Sequence, residues 1–315
     1  MQVGAYRFDC QFETDSFLPV FKGSTLRGSL GRSLKKVTCA LRTQSCQQCL
    51  LTENCAYSNI FEPHKPLESA QRQKTRLAAR PHPYILEPPL DSRRRYGVGD
   101  PFYFNLTLFG KANEYLPHVV YAAEMMGQQG LGRGNGQGQG QFSLTAVQMG
   151  NKKIYDGSRR VLDRQQPLAT LEIPAMPSEP VRRLTVRLET PLRLKHQNKF
   201  QDRLPFHLLI RTALRRISAL EEAYSAGEPD LDYRGLVRRA EQVATVHSDC
   251  KWVEVERYSS RQRTAMLIGG LLGAVTYEGE LAGFEPLLKY CETTHLGKQT
   301  SFGLGKISVQ GESAA

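Results

Sequence analysis

Acidic residues are scarce in this chain: 31 Asp and Glu stand against 42 Lys and Arg in 315 residues, a formal net charge of +11. With a pI near 9.4, that excess favours a polyanionic partner, and nucleic acid is the commonest one. Long apolar runs are also missing. The strongest, Ala265 to Val275, is too short to span a bilayer and is broken by Gly269, Gly270 and Gly273. No basic amphipathic helix stands out for an anionic membrane surface, so no membrane partner is expected. The N-terminus lacks a charged segment leading into an apolar core, which argues against a signal peptide and for a cytoplasmic protein. Nucleotide loops fail as well. Lys298 precedes Gln299 and Lys306 precedes Ile307, where a triphosphate loop needs Ser or Thr, and no glycine sits three beyond Gly305 for a dinucleotide fingerprint.

What is present fits a globular protein. The hydrophobic fraction is 40%, ordinary for a soluble fold, and the length suits two domains with separate cores. Four of the seven cysteines cluster as Cys39, Cys46, Cys49 and Cys55, spaced C-x6-C-x2-C-x5-C. Two residues between Cys46 and Cys49 let both thiolates bind one tetrahedral ion, so a structural zinc is expected. Ordinary small buried thiols are the competing reading. Four thiolates would leave no open coordination position, so no catalytic metal is expected.

Val3 to Phe12 alternates loosely through Ala5, Phe8, Cys10 and Phe12 and reads as a first strand. From Ser24, a plausible N-cap, Leu26, Leu30, Leu34 and Val37 recur at helical spacing. Arg27, Arg32, Lys35 and Lys36 occupy the other faces, and Gly28 and Gly31 suggest close packing or close approach to a ligand. Residues 62–100 form an excursion rich in Pro and Arg, with Arg93-Arg94-Arg95 as candidate phosphate contacts and a short strand at Pro83 to Glu87. Phe102 to Phe109 is a strand, followed by a helical stripe of Tyr115, Val119, Ala122 and Met126. Seven of the fourteen residues from Gly127 to Gly140 are glycine, with Arg133 the lone charge, before a strand from Phe142.

Residues 151–180 carry four prolines and read as an interdomain connector. Beyond it come a strand from Leu184, a helix from about Leu204 to Tyr224, a strand at Lys251–Tyr258, the apolar run, and a last short helix. On the long helix, Arg211, Arg215 and Arg216 read as open to solvent or RNA. The stretch from His295 to Lys306 then leads into a strand at Ile307. Helix, glycine tract and strand therefore occur twice, at 115–147 and at 284–310. The order in each half is β-α-β-β-α-β. The expected fold class is α+β: two tandem ferredoxin-like (RRM-like) domains, 1–175 and 181–311, with the cysteine-rich insertion in the first.

Two basic ferredoxin-like halves with glycine-rich loops resemble the RAMP superfamily of CRISPR-associated RNA-binding proteins. The likeness is to the endoribonucleases that cut CRISPR precursor transcripts within each repeat. It is carried by Arg257-Tyr258-Ser259-Ser260-Arg261-Gln262, by Gly269-Gly270-Leu271-Leu272-Gly273 with Tyr277-Glu278-Gly279, and by His295 through Lys306. A weaker likeness covers Gly23 to Phe61.

That resemblance implies a metal-independent cleavage in which the ribose 2′-OH attacks the scissile phosphate. The products are a 2′,3′-cyclic phosphate and a 5′-OH. The chemistry needs a base near the 2′-OH, a donor to the leaving oxygen and cations on the phosphorane. Many relatives place a histidine in or just after the first helix; here none lies between Phe21 and Cys55. His64, with Tyr57 upstream, and His295 are the candidate replacements, and Lys35 or Lys36 could stabilise the phosphorane. His82, His118, His196, His207 and His247 carry no motif and read as structural. Arg27, Lys36, Arg93, Arg94, Arg95, Arg133, Arg261, Arg263, Gly297, Lys298, Phe302, Gly303, Gly305 and Lys306 are the expected contacts to repeat RNA or precursor guide RNA. Other CRISPR effector subunits are possible partners. Two alternatives stay open: a non-cleaving RAMP subunit that holds guide RNA, and a general zinc-containing nucleic-acid-binding protein.

Overall fold

The computed structural model describes residues 1–41, 44–63, 80–132, 139–163, 165–259 and 264–313. The chain divides into two compact units, one built on residues 2–170 and one on residues 171–256 and 266–315.

The first unit is built on β1 (Gln2–Phe12), α1 (Gly23–Thr38), α2 (Ala56–Phe61), β2 (Tyr84–Glu87), β3 (Pro101–Phe109), α3 (Leu116–Gln129) and β4 (Phe142–Met149). Its antiparallel sheet runs β2-β3-β1-β4, the strand order of a ferredoxin-like domain. Period-two alternation drives it. Tyr6, Phe8, Cys10 and Phe12 face the core while Ala5 and Arg7 face out. Phe8 pairs with Phe104 across β3, and the two rings stack with centroids 4.8 Å apart.

Leu26, Leu30 and Leu34 bury the inner face of α1. Its N-cap is Lys22 rather than Ser24. Lys22 is buried, and its Nζ donates to the Asp91 carbonyl at 2.9 Å and carboxylate at 3.2 Å. The proline-rich stretch after β4 is not a plain connector. Lys152–Asp156 and Val161–Leu162 widen the sheet, and Ala169–Thr170 pairs back onto Val3 and Gln2.

The second unit repeats the plan with β5 (Val181–Leu192), α4 (Phe206–Tyr224), α5 (Tyr233–Ala240), β6 (Ala244–Ser248), β7 (Lys251–Ser259), β8 (Thr264–Glu278), α6 (Glu285–Thr294) and β9 (Ile307–Ser313). The order is β6-β8-β5-β9, with β7 also on β8. The second strand of this half is thus split in two, and α5 and β6 occupy the stretch between α4 and β7. Phe206 packs on Tyr277 at 4.8 Å and edge-on to Phe284 at 5.1 Å. The Tyr290 hydroxyl donates to the buried Glu221 carboxylate at 2.6 Å.

The repeated loops close in the same way. In the first, the Leu131 amide donates to the Gly140 carbonyl at 2.8 Å; in the second, the Leu296 amide donates to the Gly305 carbonyl, also at 2.8 Å. The spacing from leucine to glycine is nine positions in each. The residue before each leucine, Gly130 at φ 81° and His295 at φ 54°, ends its helix in positive-φ backbone. A Cβ on Gly140 or Gly305 would collide with the carbonyl oxygen of its own leucine, so only glycine fits.

This closure predicts an asymmetric response to added methyl groups. Gly305→Ala, at φ 72° with no room for a Cβ, should lose about 2–5 kcal/mol in urea unfolding, from left-handed strain plus overpacking. Gly283→Ala, with nothing within 4 Å, should stay within about 0.5 kcal/mol.

Candidate active site and nucleic-acid interface

Helical spacing assembles one cluster in the first unit. Arg27, Gly31 and Lys35 lie at i, i+4 and i+8 on one face of α1, and Tyr57 and Phe61 lie at i and i+4 on α2. Gly31 makes the contact possible, because a Cβ there would come within 2.9 Å of the Phe61 ring. With that ring seated over Gly31, the Arg27 guanidinium lies 5.5 Å from its centroid. The Lys35 ammonium lies 5.2 Å from the Tyr57 ring. Tyr57 and Phe61 are nearly parallel at 5.8 Å, so two cations flank a pair of stacked rings.

The Tyr57 hydroxyl donates to the Glu62 carboxylate at 3.0 Å. Burial, and then the Glu62 charge, push its phenol well above the usual tyrosine range. Tyr57 is therefore a neutral donor near pH 7 and unsuited to act as a base. The rings continue from Phe61 to Tyr84 at 5.0 Å and from Tyr84 to His82 at 5.6 Å. His82 is half-buried, with Nδ1 3.4 Å from the Ile60 carbonyl oxygen. The sequence gives no motif around His82; only the pairing of β2 beside β3 carries it to this cluster. His64 lies outside the described residues.

Thr38, Cys39, Cys46, Cys49, Cys55 and Tyr57 line one cleft beside this cluster. All four cysteines are free, partly exposed thiols, so they are not the buried thiols of the competing reading. Yet among the described residues no three His, Cys, Asp or Glu side chains converge to hold an ion. Burial, then the Glu62 charge, raise the Cys46 thiol above its ordinary value.

The C-terminal loop, whose Gly297, Lys298, Phe302, Gly303, Gly305 and Lys306 are expected RNA contacts, uses its backbone amides within the protein. The amides of Leu296, Lys298, Phe302, Gly303 and Gly305 donate to backbone carbonyls, among them Arg193 and Pro191. That of Lys306 donates to the Thr190 hydroxyl. His295 is fully buried, and its Nδ1 lies 3.1 Å from the Leu304 carbonyl oxygen. A ring so placed holds the loop and does not reach a phosphate. Phe302, expected as an RNA contact, is 7% exposed. Gly303 and Gly305 are buried and Lys306 half-buried, while Gly297 is half-exposed and Lys298 points to solvent.

Lys36 and Arg95 are exposed. Arg93 pairs with Asp100 and lies 4.6 Å over the Tyr96 ring, and Arg94 sits 4.5 Å over Phe17. Arg133, Arg261 and Arg263 fall outside the described residues. Arg216 is only partly open to solvent: Nε and Nη2 donate to the Thr294 carbonyl at 3.0 and 2.7 Å, closing α6. Desolvation lowers its pKa to about 10. No described helix is long and apolar enough to cross a membrane.

Residues 1–167 match the family model AF_1859_N, N-terminal domain, and residues 186–307 match that of CRISPR-associated endoribonuclease Cas6. An Archaeoglobus fulgidus protein, described as uncharacterized, is 27% identical over 297 residues, 93% of each chain. Among solved structures, a partial Cas6-RT-Cas1–Cas2 complex aligns over the whole chain with TM-score 0.56 at 13% identity. The chain spans 47% of that longer one. Thermus thermophilus Cas6 gives TM-score 0.54 at 12% identity, with 98% of both chains covered. A Cas6 product complex gives the same score at 13% identity, over 98% of this chain and 99% of that one. At these identities the likeness is one of fold.

The cysteine geometry predicts thiol chemistry. Cys39, Cys46, Cys49 and Cys55 should all be alkylated by a maleimide in the native protein, with Cys46 slowest near neutral pH because its thiolate is disfavoured. A chromophoric chelator present during the reaction reports any bound zinc: release of one per chain would support the cysteine metal site, and release of none would remove it.

Proposed function

The chain belongs to the AF_1859_N family and, through its Cas6 domain, to the CRISPR-associated RAMP proteins of repeat-RNA processing; from that premise we propose that it cuts precursor transcripts into guide RNAs. The substrate is CRISPR repeat RNA, and the reaction is an internal, metal-independent transesterification. A base takes the 2′-OH proton, the 2′-oxygen bonds to phosphorus, and the bond to the 5′-oxygen breaks. The leaving oxygen takes up a proton, giving a 2′,3′-cyclic phosphate and a 5′-OH.

The observation that carries this reading is the cationic face of α1 set against the α2 rings. Lys35, held beside Tyr57, has the charge and position on that face to stabilise the phosphorane. Tyr57, kept neutral by burial and Glu62, is suited to donate a hydrogen bond. His82, at the end of the same ladder of rings, joins His64 as a candidate base in place of the missing early histidine. Lys36 and Arg27 extend the positive face. Lys298 offers a phosphate contact from the second domain. Other CRISPR subunits are proposed partners because one fold neighbour is a Cas6-RT-Cas1–Cas2 complex.

Labelled repeat RNA should be cut at one position in EDTA and leave a cyclic phosphate. A 2′-deoxy nucleotide on the scissile side should block cutting while binding persists. Tight binding without cutting of the all-ribose RNA would instead assign a non-cleaving RAMP subunit. Lys35→Ala should lower the single-turnover rate by roughly 10²–10³-fold, and His82→Ala by roughly 10²-fold or more. His295→Ala should lower the melting temperature but leave the rate of the folded protein within about threefold, since its contact is with the loop backbone. Wild-type rates in both Lys35→Ala and His82→Ala would refute the site assignment.

A further inference from the structure

Trp252 and Phe200 form an exposed aromatic pair in the second domain, 37% and 44% exposed. Their centroids are 6.4 Å apart. Neither ring is left out by chance packing. Trp252, on β7, lies across the bare backbone of Gly269 on β8, where any Cβ would collide with the indole. The indole Nε1–H donates to Glu254 at 2.6 Å, which holds the ring edge without covering its outer surface. Phe200 ends a small hairpin in which it pairs with Lys195. The Arg193 guanidinium sits 4.0 Å over the Phe200 ring and reaches the Gly269 carbonyl at 3.4 Å. Arg193 thus bridges the hairpin to β8.

Arg193 also ties this face to the glycine-rich loop. Its carbonyl accepts the Lys298 amide at 2.9 Å. Lys195, Lys199 and Lys298 are exposed beside the pair; of the acids in these segments, Glu254 is engaged with the indole and Asp202 is exposed. An aromatic pair with one stacked guanidinium and a border of lysines matches the chemistry of unpaired nucleotides: bases stack on the rings and phosphates meet the cations. Met266 and Leu267 are also exposed on β8, but the stacked guanidinium and the lysines favour a polyanion over a protein partner.

We propose that Phe200, Trp252 and Arg193 form a stacking platform for unpaired bases of the repeat RNA. This rests on the RNA-processing reading above and specifies that part of the bound strand is single-stranded and splayed against this face. Base identity matters little, since every base has a face to stack.

Trp252 is the only tryptophan of the chain, so intrinsic emission reports on the platform directly. Full-length protein is titrated with repeat RNA made uncleavable by a 2′-deoxy nucleotide, and binding is followed in parallel by anisotropy of an RNA label. Saturable quenching is expected from the RNA but not from an abasic version of its unpaired segment. Phe200→Ala should weaken binding roughly tenfold, while Trp252→Phe, which keeps a ring, should stay within about threefold. RNA that binds by anisotropy with unmoved emission, and with unchanged affinity for Phe200→Ala, would overturn the platform and leave the RNA-processing reading intact. Emission that shifts only with protein concentration would assign the face to self-association instead and overturn the platform too. Absence of any RNA binding would overturn both readings.

Discussion

Both domains depend on one close contact: a glycine at positive φ pressed against the carbonyl of a leucine nine residues earlier, whose amide donates back to it. Leu131 with Gly140 and Leu296 with Gly305 make the same 2.8 Å bond. The approach leaves no volume for a Cβ and sets the angle at which the chain leaves the last helix for the last strand. Much else follows from it. Because the C-terminal loop uses its amides on its own backbone and on the end of β5, it is a stiff turn that presents Lys298, and His295 is locked beneath it. His295 adopts φ 54° where the first loop has Gly130, a strained backbone that the buried ring contact with Leu304 helps to hold.

A second device recurs away from the loops. Gly31 admits Phe61, and Gly269 admits Trp252, each by removing a Cβ from a surface that a ring then covers. In both places cations gather beside the ring: Arg27 and Lys35 near Phe61 and Tyr57, Arg193 beside Phe200 and Trp252. Aromatic faces attract such charges. Positive charge thus sits on a rigid support, which suits phosphate chemistry on one surface and base stacking on the other. The Arg93–Asp100 pair shows the contrary case, where charge of the arginine run is used inside its own turn.

The sequence by itself determined the two βαββαβ halves, the core faces of α1 and α3, and the repeat of helix, glycine tract and strand. These rest on local periodicity and on glycine spacing, which survive any tertiary context. It also marked Lys35, Tyr57 and Lys298, whose placement follows from a helix face or a loop apex. Only the tertiary structure decided which rings and cations are exposed. Phe302 and His295 look like loop side chains in sequence but are enclosed when the loop folds back on β5. Arg216 looks like a solvent face but caps α6. His82, Phe200, Arg193 and Trp252 sit in separate stretches with no shared motif, and they acquire roles because strand pairing brings distant segments together. Burial and long-range contact are properties of that pairing, and no local pattern of residues encodes them.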